Sequence, residues 1–411
     1  MTDASRREFL IQSAGALSAI ALIPAIPAIA RQAGEPLGVA LIGAGRQGRA
    51  ILGELAKLEG ARVVGVCDPD ESRLNSGLRR VQGARGFADH RALLDGLPEA
   101  RAVIIATPTH LHRAIAADAL AAGRHVYCEA PLAHTVEDCR AIAAAARAAP
   151  GLVFACGLEA RSNPIYKLAR SFFRSDAVRD PVAIEAQHFQ KTSWRFPSSD
   201  PAREREVNWR LDPDVSLGLP GEHGVHQFDV ALWFTDRLPV AVAGAGAIRL
   251  HDDGRKVADT TFNTLRFESG LFMHHQASLA NSFGGRHETL RGSNAAIKLA
   301  WTAAWMFKEA DAPTQGWEVY ANRQQFHNEE GITLIADATK LASQGKLKEG
   351  VGLPNPPLYY ALADFLASVR ENKPAATSAA DGLRATVVAI HAARAVAAGA
   401  EQAIDPSLYE I

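Results

Sequence analysis

Apolar positions in the first part of the chain form short runs, rich in β-branched residues, that alternate with longer segments of alanine and leucine. The short runs predict strands at Leu37–Gly43, Ala61–Cys67, Ala102–Ala106, His125–Cys128 and Leu152–Cys156. The segments between them predict helices at Gln47–Leu58, Glu71–Val81, His110–Ala122 and Val136–Ala148. This alternation is typical of a parallel, doubly wound α/β sheet with helices on both faces.

The pattern changes after Gly157. A predicted helix at Pro164–Phe173 is followed by longer strand-like runs at Val182–Phe189, Val240–Leu250, Thr260–Phe267, Leu271–Ala280 and His287–Leu290. Turn signals join most of these runs, which favours a mostly antiparallel sheet in a second, α+β domain. A polar loop over 189–215, an irregular region over 301–325 and helices at Ile332–Ser343, Pro357–Glu371 and Ala379–Ala398 complete the prediction.

The first thirty residues have a different character. Arg6–Arg7 precede an apolar stretch that ends in Ala28-Ile29-Ala30, which is the form of a twin-arginine export signal with its cleavage site. The alternative is a membrane anchor, but serine, glycine and proline dilute the apolar stretch. We therefore predict a signal peptide at 1–30, a nucleotide-binding domain at 36–157 and a second domain at 158–404, and we expect a periplasmic protein without a stable membrane anchor.

Composition narrows the range of ligands. The 411 residues carry 44 basic and 45 acidic side chains, a net charge of −1. This balance lacks the basic surface that nucleic-acid binding requires, and it suits an uncharged ligand such as a sugar. The four cysteines show no C-x-x-C spacing, so we predict neither a metal site nor a disulfide scaffold.

A glycine-rich turn follows the first predicted strand. Gly43, Gly45 and Gly48 form G-x-G-x-x-G, with Arg46 and Gln47 inside the motif, and the turn opens the first helix. Asp68 ends the second strand, where a carboxylate binds the ribose hydroxyls of a dinucleotide. The motif therefore predicts NAD in preference to NADP, and the alternative is a related domain without a nucleotide.

The motifs together resemble those of the Gfo/Idh/MocA family of oxidoreductases. The similarity extends over most of 36–404. Its marks are Gly43–Gly48, Thr107–His112, Glu129–Pro131, Asn163–Pro164, Glu222–Asp229 and Asp381–Ala385. The resemblance implies a Rossmann domain followed by a domain with a large open sheet, a carbohydrate substrate, and a homo-oligomer, either dimer or tetramer. The last two helices, over 357–398, are expected to pack back on the Rossmann domain.

The resemblance also assigns cofactor-binding residues. It places one group along the nicotinamide half of NAD, and these are Thr107, Pro108, His110, His112, Glu129 and Pro131. For His110 and His112 the alternative is a role at the start of a helix. Pro131 is expected to set the backbone after a cis peptide bond.

Glu222 and His226 match the acid-x-x-x-His motif of the family. On a helix, a spacing of four places both side chains on one face, where a carboxylate can orient an imidazole or raise its pKa. The resemblance implies that this pair takes the hydroxyl proton of the substrate. The alternative is a pair on a helix surface.

The chain departs from the family at Ala130, because the family has lysine in this E-K-P position. The resemblance implies that this lysine assists deprotonation of the substrate. Substitutes that we considered are Tyr166, Lys167, His188 and Lys191. The predicted substrate-binding residues are Arg161, Tyr166, His188, Trp209 and Arg210. Tryptophans of the loop and of the irregular region are candidates either for sugar contact or for packing.

Three functions are compatible with these residues. One is a sugar or polyol oxidoreductase whose NAD stays bound and is regenerated within each cycle. Export would require this, because an exported protein has no access to the cytoplasmic NAD pool. Another is a redox-neutral, NAD-dependent glycosidase, and the last is a nucleotide-binding sensor without catalysis. Recovery of NADH, of an aglycone or of neither distinguishes them.

Overall fold

The computed structural model describes residues 35–198, 201–316, 318, 321–326, 329–336, 341, 344 and 352–411. The predicted signal peptide, 1–30, lies outside the described residues. Contacts divide the chain into two compact units. The larger unit holds 35–163, Ile184–His287 and Asn355–Ile411, and the smaller unit holds the described parts of Pro164–Ala183 and Glu288–Pro354. Two of the boundaries, at 183/184 and 287/288, fall inside strands.

The larger unit begins with a six-stranded parallel sheet. Its strands are β1 (Leu37–Ile42), β2 (Ala61–Cys67), β3 (Arg85–Phe87), β4 (Ala102–Ile105), β5 (His125–Cys128) and β6 (Phe154–Cys156). They lie in the order β3-β2-β1-β4-β5-β6, which confirms the predicted doubly wound sheet. The order reverses between β1 and β4, and ligands of such sheets bind at the carboxyl ends of the strands around this point.

Helices connect these strands, and several begin at a side chain that caps them. They are α1 (Arg46–Leu55), α2 (Glu71–Leu78), α3 (His90–Gly96), α4 (His112–Ala121) and α5 (Val136–Arg147). The carboxylate of Asp70 accepts the Arg73 N–H and caps α2, and Thr135 accepts the Asp138 N–H and caps α5. Asp89 caps α3 in the same way. Sequence reasoning missed β3 and α3, which are short.

The last two long helices belong to the same unit. They are α9 (Pro357–Glu371) and α10 (Ala379–Ala398), with the bounds that the sequence predicted. Leu362 and Phe365 of α9 share a buried cluster with Leu41 of β1 and Ile51 of α1. The hydroxyl of Thr386 in α10 accepts the N–H of Leu132, just beyond β5. Both helices therefore pack on the nucleotide-binding half of the unit.

A second sheet completes the larger unit. Its strands are β7 (Pro181–Phe189), β8 (Pro239–Ala247), β9 (Thr260–Phe267), β10 (Phe272–Ser278) and β16 (Gln402–Ala403), in the order β7-β10-β9-β8-β16. The β7–β10 pair is parallel and the other pairs are antiparallel. Between β7 and β8 lie the short α7 (Glu204–Val207), a π-helical turn (Pro220–Gly224) and α8 (Val225–Thr235).

The smaller unit contains α6 (Pro164–Phe173) and an antiparallel sheet. Its strands are most of β11 (Arg286–Gly292), then β12 (Ala295–Leu299), β13 (Ala304–Lys308), β14 (Arg323–Phe326) and β15 (Glu329–Leu334). They lie in the order β14-β15-β13-β12-β11. Alternate residues of β12, among them Ile297 and Leu299, are fully buried, as expected for one covered face. The predicted α+β character with a mostly antiparallel sheet is thereby confirmed.

Two predictions for this region are wrong. The region 301–325, predicted to be irregular, contains β13 and the start of β14, and the helix predicted at Ile332–Ser343 begins inside β15. Met306 of β13 pairs with Ile332 of β15, so the β-branched run Ile332-Thr333 completes a sheet. Most of 337–343 lies outside the described residues.

None of the helices in the described part of the chain combines the length and the apolar character that a membrane span requires.

Candidate active site

The glycine-rich turn between β1 and α1 has the shape that a dinucleotide requires. Gly43 has a φ of +97°, and a Cβ there would lie 2.6 Å from the carbonyl oxygen of Ala106. A Cβ at Gly48 would lie 1.9 Å from the carbonyl oxygen of Gly43, so the helix packs too closely on the strand for any side chain. A Cβ at Gly45 would meet no atom within 4 Å, and this glycine therefore leaves open surface at the start of α1, where phosphate binds.

Asp68 is held in position at the end of β2. Its Oδ2 accepts the backbone N–H of Ala44 at 2.8 Å, and its Oδ1 accepts that of Asp70 at 2.9 Å. Burial raises the pKa of Asp68, and the two N–H donors oppose the shift. Each carboxylate oxygen keeps a second lone pair, so the side chain suits a ribose diol beside the glycine turn. The residues present therefore fit NAD.

The turn after β4 carries two of the predicted cofactor-binding residues with unused polar atoms. Among the described residues, no hydrogen-bond partner meets the buried Oγ1 of Thr107 or the buried Nδ1 of His110. Buried polar atoms normally have partners, so both atoms are available to a polar group of a bound nucleotide. The His110 ring packs edge-on against Trp209, with centroids 6.1 Å apart. Pro108 stands between Thr107 and the 3₁₀ turn Thr109–Leu111.

His112 has a different position from the one the sequence suggested. Its Nδ1 lies 3.1 Å from the carbonyl oxygen of Pro131, and its Nε2 lies 3.0 Å from that of Thr107. The ring is almost fully enclosed, which leaves no face for a cofactor. His112 therefore joins the turn after β4 to the turn after β5, where the Ala130–Pro131 bond is cis as expected.

Glu129 lies between the glycine turn and the segment that follows β6. The amide of Gln47 donates to its Oε1 at 2.9 Å, and a Cβ on Gly157 would lie 2.4 Å from its Oε2. Burial, reinforced by the charge of Glu159, raises the pKa of Glu129 to about 8. Burial also raises the pKa of Glu159 to about 7, although Arg286 opposes this shift. The two carboxyl groups therefore titrate near neutral pH, in the range that general acid–base chemistry uses.

The predicted catalytic pair does not lie on one continuous α-helix. Glu222 belongs to the π-helical turn before α8, and Oε2 of its carboxylate lies 2.5 Å from Nε of Arg210. Burial, followed by the charge of Arg286, lowers the pKa of His226 to about 3. The expectation that a carboxylate raises this pKa is therefore wrong. His226 is therefore an unprotonated and weakly basic imidazole at neutral pH.

Three further buried or half-buried histidines belong to the same region as His226. The rings of His188 and His223 are stacked, with centroids 3.7 Å apart and planes 11° from parallel. His275 packs edge-on against Phe228, with centroids 4.9 Å apart. Burial lowers the pKa of each imidazole, and the charge of Arg286 lowers it further. We name this group, composed of His188, His223, His226 and His275, the histidine cluster.

The remaining predicted substrate-binding residues have contacts within the protein. The guanidinium of Arg161 binds Asp229 at 2.7 Å and Asp381 at 2.9 Å, so it joins α8 to α10 instead of facing a ligand. Tyr166 is fully buried in the smaller unit, where its hydroxyl donates to Oε2 of Glu288. Arg210 stacks on the ring of Trp209 at 4.6 Å while it holds Glu222.

Sequence reasoning missed Glu159, His275 and Arg286. Glu159 lies in the 3₁₀ turn after β6, His275 in β10 and Arg286 at the start of β11, and no motif connects them. Lys167 and Lys191, which we considered as substitutes for the missing lysine, are exposed. In the described part of the chain, no group of three or more His, Cys, Asp or Glu side chains could hold a metal ion.

Two family models match the chain. One, described as "Oxidoreductase family, NAD-binding Rossmann fold", matches residues 37–156, and the other, "GFO/IDH/MocA C-terminal domain", matches residues 166–298. Together they cover more than half of the 411 residues. The first description names the predicted cofactor, NAD.

Curated relatives and solved structures are also similar to the chain. An inositol 2-dehydrogenase of Acidothermus cellulolyticus is 28% identical over 264 residues, which are 64% of this chain and 72% of that protein. A levoglucosan dehydrogenase of Pseudarthrobacter phenanthrenivorans is 28% identical over 214 residues, or 47% of this chain and 52% of that protein, about half its length.

A structure of levoglucosan dehydrogenase with NADH and levoglucosan has a TM-score of 0.71 at 21% identity, covering 90% of this chain and 100% of that one. An aldose-aldose oxidoreductase from Caulobacter crescentus, complexed with glycerol, has a TM-score of 0.69 at 20% identity, with coverage of 90% and 100%. At these identities the structural likeness supports the fold.

Proposed function

The chain belongs to the Gfo/Idh/MocA family and is an NAD-dependent oxidoreductase, and on that premise we propose that it oxidises a hydroxyl group of a sugar, a polyol or a glycoside. The observation that carries the proposal is the contact between Gln47 of the glycine turn and Glu129. This contact joins the nucleotide site to carboxyl groups that titrate near neutral pH. The relatives named above act, by their names, on inositol and on levoglucosan, which are uncharged and rich in hydroxyl groups.

The proposed chemistry divides between cofactor and protein. When bound, NAD accepts a hydride from the carbon that bears the reacting hydroxyl. The protein must accept the hydroxyl proton. His226 occupies the motif position for this step and its imidazole is unprotonated at neutral pH, although a pKa of about 3 makes it a weak base. Glu129 and Glu159, with pKa values of about 8 and 7, are suited to exchange that proton with solvent. Arg210 holds the carboxylate of Glu222 beside the same helix.

We also propose that the protein is exported with its NAD bound and regenerates it within each catalytic cycle. Arg6–Arg7 and the stretch that ends at Ala30 support export by the twin-arginine route, which carries folded proteins. The test is to purify the exported protein and to measure the nucleotide that denaturation releases. A nearly stoichiometric amount of NAD supports retention, whereas an empty site that binds NAD only loosely contradicts it.

A redox-neutral glycosidase is the second candidate, and Ala130 favours it. The family's lysine is absent there, while Glu129 is largely protonated at pH 7 and can donate a proton to a leaving group. The experiment is to supply aryl glycosides together with free sugars and polyols, and to follow aglycone release and NADH absorbance in the same samples.

The outcomes separate the candidates. Net NADH, or reduction of a second sugar without aglycone release, supports the oxidoreductase. Aglycone release without net NADH supports the glycosidase. If none of these products forms with any of the aryl glycosides, sugars and polyols supplied, the result supports a nucleotide-binding sensor. Light scattering on the same preparation tests the predicted dimer or tetramer.

A further inference from the structure

A cleft opens on the turn that follows Asp68. Its volume is about 490 Å³, within the range of small-molecule sites, and Pro69 to Ser72 form one of its walls. The N–H of Asp70 donates to Oδ1 of Asp68 at 2.9 Å, so this wall is tied to the carboxylate that suits a ribose diol. In NAD the adenine base leaves that ribose on the side away from the 5′-phosphate. With the phosphate at the start of α1 and the diol at Asp68, the base is directed towards the cleft.

The second wall of the cleft comes from the long connection between β7 and β8. It is formed by Arg203, which ends the 3₁₀ turn Pro201–Arg203, and by Glu206 of α7. Nη2 of Arg203 lies 2.6 Å from Oδ2 of Asp70 and 2.9 Å from Oε1 of Glu206. Nη1 of Arg73, on α2, lies 3.9 Å from the same Oε1. Four alternating charges therefore join the two walls.

Contacts with the second sheet of the same unit hold this connection in place. The guanidinium of Arg195 contacts the carboxylate of Glu204 in α7, and its Nε lies 3.1 Å from Oδ2 of Asp253. Asp253 belongs to the connection between β8 and β9, where it also binds the buried guanidinium of Arg255 at 2.6 Å. We name the stretch Pro201–Leu211 the bridging segment, because it is fixed to the second sheet while its tip contacts the nucleotide-binding half.

The ion pairs at the tip are weak enough to open. The side chains of Arg203 and Glu206 are 40% and 48% exposed, whereas that of Asp70 is 12% exposed. Exposed ion pairs contribute little individually and are screened by salt. The planar guanidinium of Arg203 is also suited to stack on the face of an aromatic base. These contacts can therefore open to admit a nucleotide, and a base in the cleft provides Arg203 with a further contact.

We propose that the bridging segment is a clasp for the adenosine end of NAD, in which Arg203 and Glu206 close the cleft over the adenine base. The inference deepens the proposed retention of NAD and rests on that proposal. Because the bridging segment is fixed to the second sheet, release of the adenosine requires the contacts of Arg203 with Asp70 and of Glu206 with Arg73 to break. The clasp slows dissociation of the nucleotide and takes no part in the hydride or proton transfers.

The test compares R203Q, which removes the charge at the tip, with K373Q as the matched control. Lys373 forms an exposed ion pair with Glu371 at 2.7 Å. It follows α9, whose Arg370 contacts the carbonyl oxygen of Gly60 just before β2, so it lies at the amino ends of the strands, away from the nucleotide site. NADH is bound to each protein and displaced by an excess of NAD, and its fluorescence gives the dissociation rate.

We expect R203Q to release NADH about 3 to 30 times faster than the unmodified protein, because two exposed ion pairs are lost. K373Q should release it at the unmodified rate. About 0.5 M sodium chloride should accelerate release from the unmodified protein, and it should accelerate release from R203Q much less. AMP, which contains the adenosine half of NAD alone, should bind R203Q more weakly by a similar factor, measured by calorimetry on the nucleotide-free proteins.

Other results overturn the inference. Equal release rates for R203Q and the unmodified protein would do so. Faster release of NADH with unchanged AMP binding would do so as well, because the bridging segment would then act on another part of the nucleotide. If R203Q does not fold, E206Q decides in the same assays, since it loses the contacts of Glu206 with Arg203 and Arg73. An unmodified protein that binds neither NADH nor AMP also refutes the clasp.

Failure of the proposed function is a separate result. If the unmodified protein oxidises none of the sugars, polyols and glycosides supplied, the proposed reaction fails, and the release rates still test the clasp. If the unmodified protein is purified without nucleotide and binds NAD only loosely, the proposed retention fails, and the ratio of the two release rates again decides whether Arg203 holds the adenosine end.

Discussion

The raised pKa of Glu129 leads to a measurable effect on stability. In the unfolded chain this carboxyl group loses its proton near its ordinary pKa of 4.5, whereas the folded protein retains the proton until about pH 8. Between these values the folded state binds more protons than the unfolded state, so rising pH reduces the free energy of unfolding. The substitution E129Q removes the titration and keeps a carbonyl oxygen that can accept the amide of Gln47.

The magnitude follows from the shift. The value pH 7 is about 2.5 units above the pKa of this carboxyl group in the unfolded chain, and each unit corresponds to about 1.4 kcal/mol. We therefore expect E129Q to have the same stability as the unmodified protein near pH 4.5 and to be more stable by about 3 kcal/mol at pH 7. Urea unfolding of the nucleotide-free protein at several pH values, followed by tryptophan fluorescence, measures this difference. Trp194 and Trp209 report on the same unit as Glu129.

The control is E137Q, which removes an exposed carboxyl group from the first turn of α5. Its stability relative to the unmodified protein should vary little over the same pH range. A difference between E129Q and the unmodified protein that is constant with pH would refute the reasoning, because it would mean that Glu129 is ionised in the folded state. A loss of stability in E129Q at pH 8 would refute it as well.

Further substitutions test the site and the fold. H226A should lower turnover at least about a hundredfold while the protein retains its nucleotide, and near-normal turnover would exclude His226 as the base. A130K should raise net dehydrogenase activity, measured as NADH formation; no gain would show that the pocket does not accommodate the family's lysine productively. R161M should reduce the free energy of unfolding by about 3 to 5 kcal/mol, because it leaves the buried carboxylate of Asp229 without its partner. R113Q, which breaks an exposed ion pair, should cost less than about 1 kcal/mol. Thermal unfolding of R161M and R113Q measures both losses, and equal losses would contradict the argument.

Sequence reasoning was most successful in the nucleotide-binding half. Apart from β3 and α3, the strands and helices from Leu37 to Cys156 were placed within a few residues, because buried parallel strands and amphipathic helices have distinct periods. It failed for β12 to β15, where short strands follow one another through turns and polar residues. The run Gly331 to Ile335 illustrates the difficulty, since an apolar run of this length fits a helix or a buried strand until its partner strand is known.

The sequence predicted individual residues of the candidate site but not the tertiary contacts that those residues make. The motifs identified Glu129, Glu222 and His226, yet the partners of Glu222 and Arg161 follow from tertiary structure alone. The charge state of His226 depends on burial and on Arg286, which comes from a strand sixty residues further along the chain. The linear sequence contains no signal that distant residues such as these act on one imidazole. A histidine motif alone therefore suggests the ordinary pKa of imidazole.

The bridge that His112 makes between the turns after β4 and β5 has a consequence for the kinetics of cofactor exchange. Because one buried ring contacts the carbonyl oxygens of Thr107 and Pro131, the two turns cannot separate without breaking these contacts. NAD therefore meets a surface that is already ordered, and binding requires little further loss of loop entropy. The proposed retention of NAD would then be expressed mainly as slow dissociation of the nucleotide.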